Sequence, residues 1–117
     1  MDLTEAEAIH REWKLKLRSA LLNQEHLDET SIASDNCCGL GKWLHGEAKA
    51  KFGRLKSYAD CVEKHATFHK CAGKVAKAIN DKKYQEAEAM LGASTEYMYA
   101  SVAILEAISE LKSETGL

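Results

Sequence analysis

Not one proline interrupts the 117 residues of this chain. Proline fixes its own φ, lacks an N–H and ends helices more sharply than any other residue. Its absence, together with few β-branched residues, predicts an all-α fold. The apolar spacing agrees. Leu3, Ala6, His10, Trp13, Leu17 and Ala20 or Leu21 recur at three- and four-residue steps, predicting a first helix over Leu3–Leu22. Thr4 and Glu7 stand at capping-box spacing at its start. The polar stretch 23–36 reads as a connection with room for a turn of helix. Gly39, Gly41 and Gly46 restrict the next segment to a short helix anchored by Trp43 and Leu44. A third helix is predicted over 55–80, stopped at Asn80-Asp81. A fourth over 83–112 would bury Ala87, Leu91, Met98, Val102, Leu105 and Ile108 or Leu111, with Gly92 its weak point. The expected architecture is a four-helix bundle with a short Gly-rich second helical segment, forming one domain over residues 1–117.

Composition removes several function classes. Sixteen Lys and Arg against 18 Asp and Glu give a net charge of -2, without the basic footprint of a nucleic-acid binder. Aromatic residues make up 7%, too few for a base-stacking platform. No apolar run approaches the roughly 18–20 residues that span a bilayer, so membrane insertion by this chain is not expected. The acidic opening stretch Met1–Ala8 does not read as a secretory signal, and a cytoplasmic location is expected. In that setting the four cysteines, Cys37, Cys38, Cys61 and Cys71, suggest metal-binding or redox-reactive thiols rather than disulfides.

The strongest local signal is His65-Ala66-Thr67-Phe68-His69 within the third helix. Histidines at i and i+4 share a helix face about 6 Å apart at Cβ and can chelate one ion. His10 occupies the core stripe of another helix. Three imidazoles directed into one small core are costly to bury without a partner, and a metal ion is the natural one. Candidates for a fourth donor are Cys37, Cys38 and Cys61. Helical periodicity favours Cys61, one turn before His65, although donors at 61, 65 and 69 splay by roughly 40° per step. Cys71 lies roughly 160° around the helix from His69 and is the poorest candidate. Spacing does not separate Cys37 from Cys38.

The string Cys38-Gly39-Leu40-Gly41-Lys42-Trp43 resembles the Cys-x-[Leu/Phe]-Gly-[Lys/Arg]-Trp motif of the CZB family, the bacterial chemoreceptor zinc-binding domains. His10, Trp13 and Lys14 are similar to the family's first-helix His-x-x-Trp-Lys element, and His65 and His69 to its His-x-x-x-His pair. The resemblance spans nearly the whole chain. It implies a four-helix bundle with zinc held by three histidines and one cysteine, here His10, Cys38, His65 and His69. It further implies a cytoplasmic sensory module, commonly a homodimer, coupled to a chemoreceptor or a diguanylate cyclase, and responsive to zinc or to oxidants such as hypochlorous acid. His45 departs from the pattern where family members often carry Tyr, and it reads as a partly exposed packing residue. His26 reads as solvated, and Cys37, Cys61 and Cys71 as small apolar residues in or near the core.

Four protein donors complete a zinc tetrahedron, whereas hydrolytic zinc keeps an open position for water. Enzymatic activity is therefore not expected. A di-metal carboxylate bundle would need Glu-x-x-His pairs, but Val62 and Ala66 stand three residues before His65 and His69. The alternative to a sensor is a zinc-stabilised helical interaction or dimerisation module without a sensing role.

Overall fold

The computed structural model describes all 117 residues as helices and connections, with no strand. Seven helices follow in order: α1 Leu3–Leu22, α2 Glu29–Ala33, α3 Gly39–His45, α4 Glu47–Phe52, α5 Lys56–Asn80, α6 Tyr84–Met90 and α7 Glu96–Thr115. The long helices α1, α5 and α7 form the body of an all-α bundle. α5 packs against α7, α2, α1 and α6, and α1 closes the other side against α7.

The helix starts follow from local chemistry. Asp2, not Thr4, caps α1: its Oδ1 accepts the Glu5 N–H at 3.0 Å. Starting α1 at Leu3 puts Asp2 at the cap, and a carboxylate there also faces the positive end of the helix dipole. Between α1 and α3, the predicted connection contains the short helix α2, capped by Asp28 through the Ser31 N–H. The Gly-rich segment is thus preceded by one short helix and is itself two, α3 and α4, meeting at Gly46. Asn80, at the end of α5, clamps the stretch before α2. Its Oδ1 accepts the Leu27 N–H at 2.7 Å and its Nδ2 donates to the Leu27 carbonyl at 2.8 Å.

The expected continuous fourth helix is interrupted. The chain leaves α6 at Leu91, passes Gly92, takes a left-handed turn at Ser94 (φ 58°) and restarts at Thr95. Thr95 Oγ1 accepts the Met98 N–H at 3.2 Å and donates to the Gly92 carbonyl at 2.9 Å, so a single hydroxyl both caps α7 and closes the turn. The break resets the helical phase. Val102, expected in the core, is 47% exposed, and Met98 and Leu105 are half-buried. Tyr97, Ala100, Ile104, Ile108 and Leu111 fill the core instead. Residues 83–112 read as one helix carry the register of α6 into α7, which the turn does not preserve.

The core is continuous between α1, α5 and α7, built around Leu17, Phe68, Val75, Ile79, Ile104 and Ile108. No helix is long and apolar enough to cross a membrane.

Candidate metal centre

Three polar side chains lie at the heart of this apolar core. His10, His65 and His69 are each no more than 1% exposed. His10 comes from the inner stripe of α1, and His65 and His69 lie one turn apart on α5. Cys38, at the N-cap of α3, approaches from the side. Its sulfur lies 3.2 Å from His65 Nε2 and 3.6 Å from His69 Nε2, while His65 Nε2 lies 3.1 Å from His10 Nε2. One donor atom from each of the four residues lies within 4.8 Å of every other, and no carboxylate joins the group.

The backbone orients the rings. A carbonyl oxygen can only accept, so Nδ1 of His10 donates to Ala6 O (2.8 Å) and Nδ1 of His69 donates to Ile32 O (2.9 Å). With the proton on Nδ1, each Nε2 presents its lone pair to the centre. His65 Nδ1 is buried without a partner, so the packing of the ring alone holds it there. Phe68 sets its ring 5.5 Å from both His10 and His69, and Trp13 lies 6.1 Å from His69, sealing the rings from water on that side.

Electrostatics point the same way. Burial, reinforced by His69 and His10, lowers the His65 pKa to about 2. Burial is also the main cause of the lowered values at His10 and His69. All three rings therefore favour the neutral form at physiological pH. Burial raises the Cys38 thiol, opposed by the N–H groups of Gly41 and Leu40. Converging lone pairs that cannot take up protons are an unfavourable arrangement unless a cation sits among them. Zinc–nitrogen and zinc–sulfur bonds of about 2.0–2.1 and 2.3 Å make tetrahedron edges of about 3.3 and 3.6 Å. Two separations, 3.1 Å between the His10 and His65 nitrogens and 3.6 Å from Cys38 to His69, lie within about 0.2 Å of those edges, and the third, Cys38 to His65 at 3.2 Å, is shorter. The donor set, three imidazoles and a thiol, is one that zinc favours.

A family model of the chemoreceptor zinc-binding domain, CZB, matches residues 10–76, more than half the chain. The matched stretch begins at His10 and contains all four donors. The chain belongs to the CZB family. No curated protein and no solved structure matches it. CZB domains are zinc-binding signalling modules rather than a known catalytic family.

The CZB fold brings together the four residues singled out by motif and excludes the other candidates. Cys61, which periodicity favoured, is fully buried but outside the cluster; the 40° drift per turn carries it past the centre, and burial pushes its thiol to about 12. Cys71 is buried too, and Cys37 is exposed rather than part of the core. His45 points outward and pairs with Asp35 at 2.8 Å. His26 is exposed. Two contributors were not foreseen. The Ile32 carbonyl is a backbone atom and has no sequence signature. Gly41 must be glycine because a Cβ there would overlap the Asp35 carbonyl and come within 3.1 Å of His65 Cε1. The leucine–glycine pair within the Cys38–Trp43 string was the available signal for it.

Proposed function

We propose that the chain is a zinc-dependent regulatory domain of bacterial signal transduction, in which His10, Cys38, His65 and His69 hold one zinc ion. The observation that carries this reading is the convergence of those four donors, all within 4.8 Å of one another, in a largely apolar core. Zinc bound there would keep Cys38 as the thiolate, the form that oxidants attack. The protein's own residues do the rest. Ala6 and Ile32 fix two rings, Phe68 and Trp13 exclude water, and the closed donor set leaves no position for a reacting water. The domain is accordingly a binding and regulatory module, not an enzyme.

Cys38 is the donor best suited to respond. It is half-buried where the histidines are fully buried, and it stands at the start of a seven-residue helix rather than within a long one. Its oxidation to sulfenic acid removes one donor and frees the start of α3, while α1 and α5 keep their packing. That movement is the proposed signal, set by oxidants such as hypochlorous acid or by zinc availability. A cytoplasmic homodimer, coupled to a chemoreceptor or a diguanylate cyclase, is the proposed setting. Tyr99 and Val102, 65% and 47% exposed on the outer side of α7, are the proposed dimer contacts, and sedimentation equilibrium of Val102→Glu tests them by loss of the dimer. Titration with hypochlorous acid, followed by peptide mass spectrometry and zinc release, tests the response. Cys38 is expected to react before Cys61 and Cys71, with zinc released in step. Equal reactivity of the three, or oxidation without release, would leave only a zinc-stabilised structural module.

A further inference from the structure

A cavity of about 220 Å³ opens beside the start of α1 and ends at two of the four donors, His10 and Cys38. Its inner wall is apolar, with Ala6 and Leu40 both buried, whereas its outer end carries the exposed carboxylates of Asp2 and Glu5 beside the exposed Met1. The other larger cavities touch none of the donors. Phe68 and Trp13, which pack against the histidine rings, do not line it. Gly39 lines the cavity, and a Cβ on it would meet no atom within 4 Å.

We propose that this cavity is the route by which small uncharged two-electron oxidants reach the Cys38 sulfur, and that Asp2 and Glu5 turn anionic reagents away. The proposal rests on the reading of Cys38 as the oxidant-responsive donor and adds the class of reagent it admits. Two carboxylates against the single amino group of Met1 leave the mouth net negative, and a cleft of net charge between low-dielectric walls concentrates that field and raises or lowers the local concentration of charged species. With hydrogen peroxide the step balances without further reactants. The Cys38 thiolate takes one peroxide oxygen with its hydrogen as the S–O bond forms and the O–O bond breaks. The second oxygen departs as hydroxide and is protonated to water by the solvent buffer. A neutral oxidant meets no barrier at the carboxylates; its anionic counterparts meet two like charges.

Iodoacetamide and iodoacetate differ little in size and differ in charge, and Cys37, exposed and outside the cavity, serves as the reference thiol in the same protein. Alkylation of the purified protein at low ionic strength is read by peptide mass spectrometry. The preference of Cys38 for iodoacetamide over iodoacetate is expected to exceed that of Cys37 by about fivefold or more. It should shrink at high salt and disappear in Asp2→Asn/Glu5→Gln, where asparagine preserves the helix cap. Gly39→Val, whose Cβ would meet no atom within 4 Å, narrows the cavity and is expected to slow both reagents and hydrogen peroxide at Cys38 by about tenfold, with Cys37 unchanged. Equal preferences at Cys37 and Cys38 in the starting protein would overturn the charge filter. Cys38 rates untouched by Gly39→Val in a chain of unchanged helicity would overturn the route. Zinc content of the same samples separates the two readings: a zinc-free starting protein counts against the metal centre, whereas unchanged rates in zinc-loaded protein count against the cavity.

Discussion

Gly41 shows how closely the backbone is drawn around the proposed centre. It donates its N–H to the Cys38 sulfur at 3.4 Å while its Cα faces the Asp35 carbonyl and the His65 ring. Gly41→Ala forces a methyl group into backbone that has no free rotamer to yield, so α3 must move away from α5. The expected cost is about 1–3 kcal/mol or more, with zinc loss exceeding that of Gly39→Ala, where a Cβ meets open space. Chemical denaturation and metal content of the two alanine variants check this, and equal behaviour would contradict it. The histidines make a second prediction at this scale. Burial lowers all three ring pKa values, to about 2 at His65. As pH falls through the ordinary histidine value of about 6.5, the unfolded chain takes up protons that the folded, metal-free chain does not. The unfolded state then binds more protons, so the stability present above pH 6.5 is progressively lost below it. The urea midpoint of chelator-treated protein should fall between pH 7.5 and pH 5; a flat midpoint would contradict the burial of neutral rings. These three histidines were legible from the sequence because helical spacing put them on inward faces. Cys38 was legible only through the motif around it, since neighbouring thiols at 37 and 38 differ by loop geometry that no periodicity encodes.

Among the elements, α2 has a role out of proportion to its five residues. It brings the Ile32 carbonyl to His69 and is held from two sides, by the Asn80 clamp on Leu27 and by a close approach of Ala33 to Gly73 on α5. A Cβ at Gly73 would lie 2.5 Å from Ala33 Cβ. Gly73→Ala, although it raises helix propensity, is therefore expected to push α2 outward and destabilise the fold by about 1–3 kcal/mol, with zinc bound more weakly because His69 loses its orienting acceptor. Thermal melts with and without chelator test this; a stabilised variant with unchanged zinc affinity would contradict it. The sequence reading located α1 and α5 to within a residue because their apolar stripes are long. It merged α6 with α7 because Gly92 in a helical pattern is compatible with continuation. The phase-resetting turn depends on the Thr95 hydroxyl and on Ser94 at φ 58°, neither of which is announced by residue type alone. α2, too short to show a period, was visible only as a polar connection.

For the whole molecule, the architecture amounts to a largely apolar bundle with a cluster of three buried histidines inside it. The long helices supply the histidines from rigid positions, and a short, Gly-rich segment supplies the only sulfur donor. That division places three donors in the long helices α1 and α5 and the fourth in α3, beside a cavity that reaches Cys38; in the proposed function α3 is the part that moves. The inventory of donors and the all-helical class followed from the sequence; the meeting of elements 27 and 55 residues apart in the chain is a property of the packed bundle. The central claim is that this point holds one zinc ion through all four side chains. It is tested most directly by metal analysis of the purified protein beside Cys38→Ala and His69→Ala. About one zinc per chain, with a clear loss in both variants that remain helical, is the predicted result. A starting protein that carries no zinc and takes up none on titration, or variants that retain the full complement, would contradict the claim.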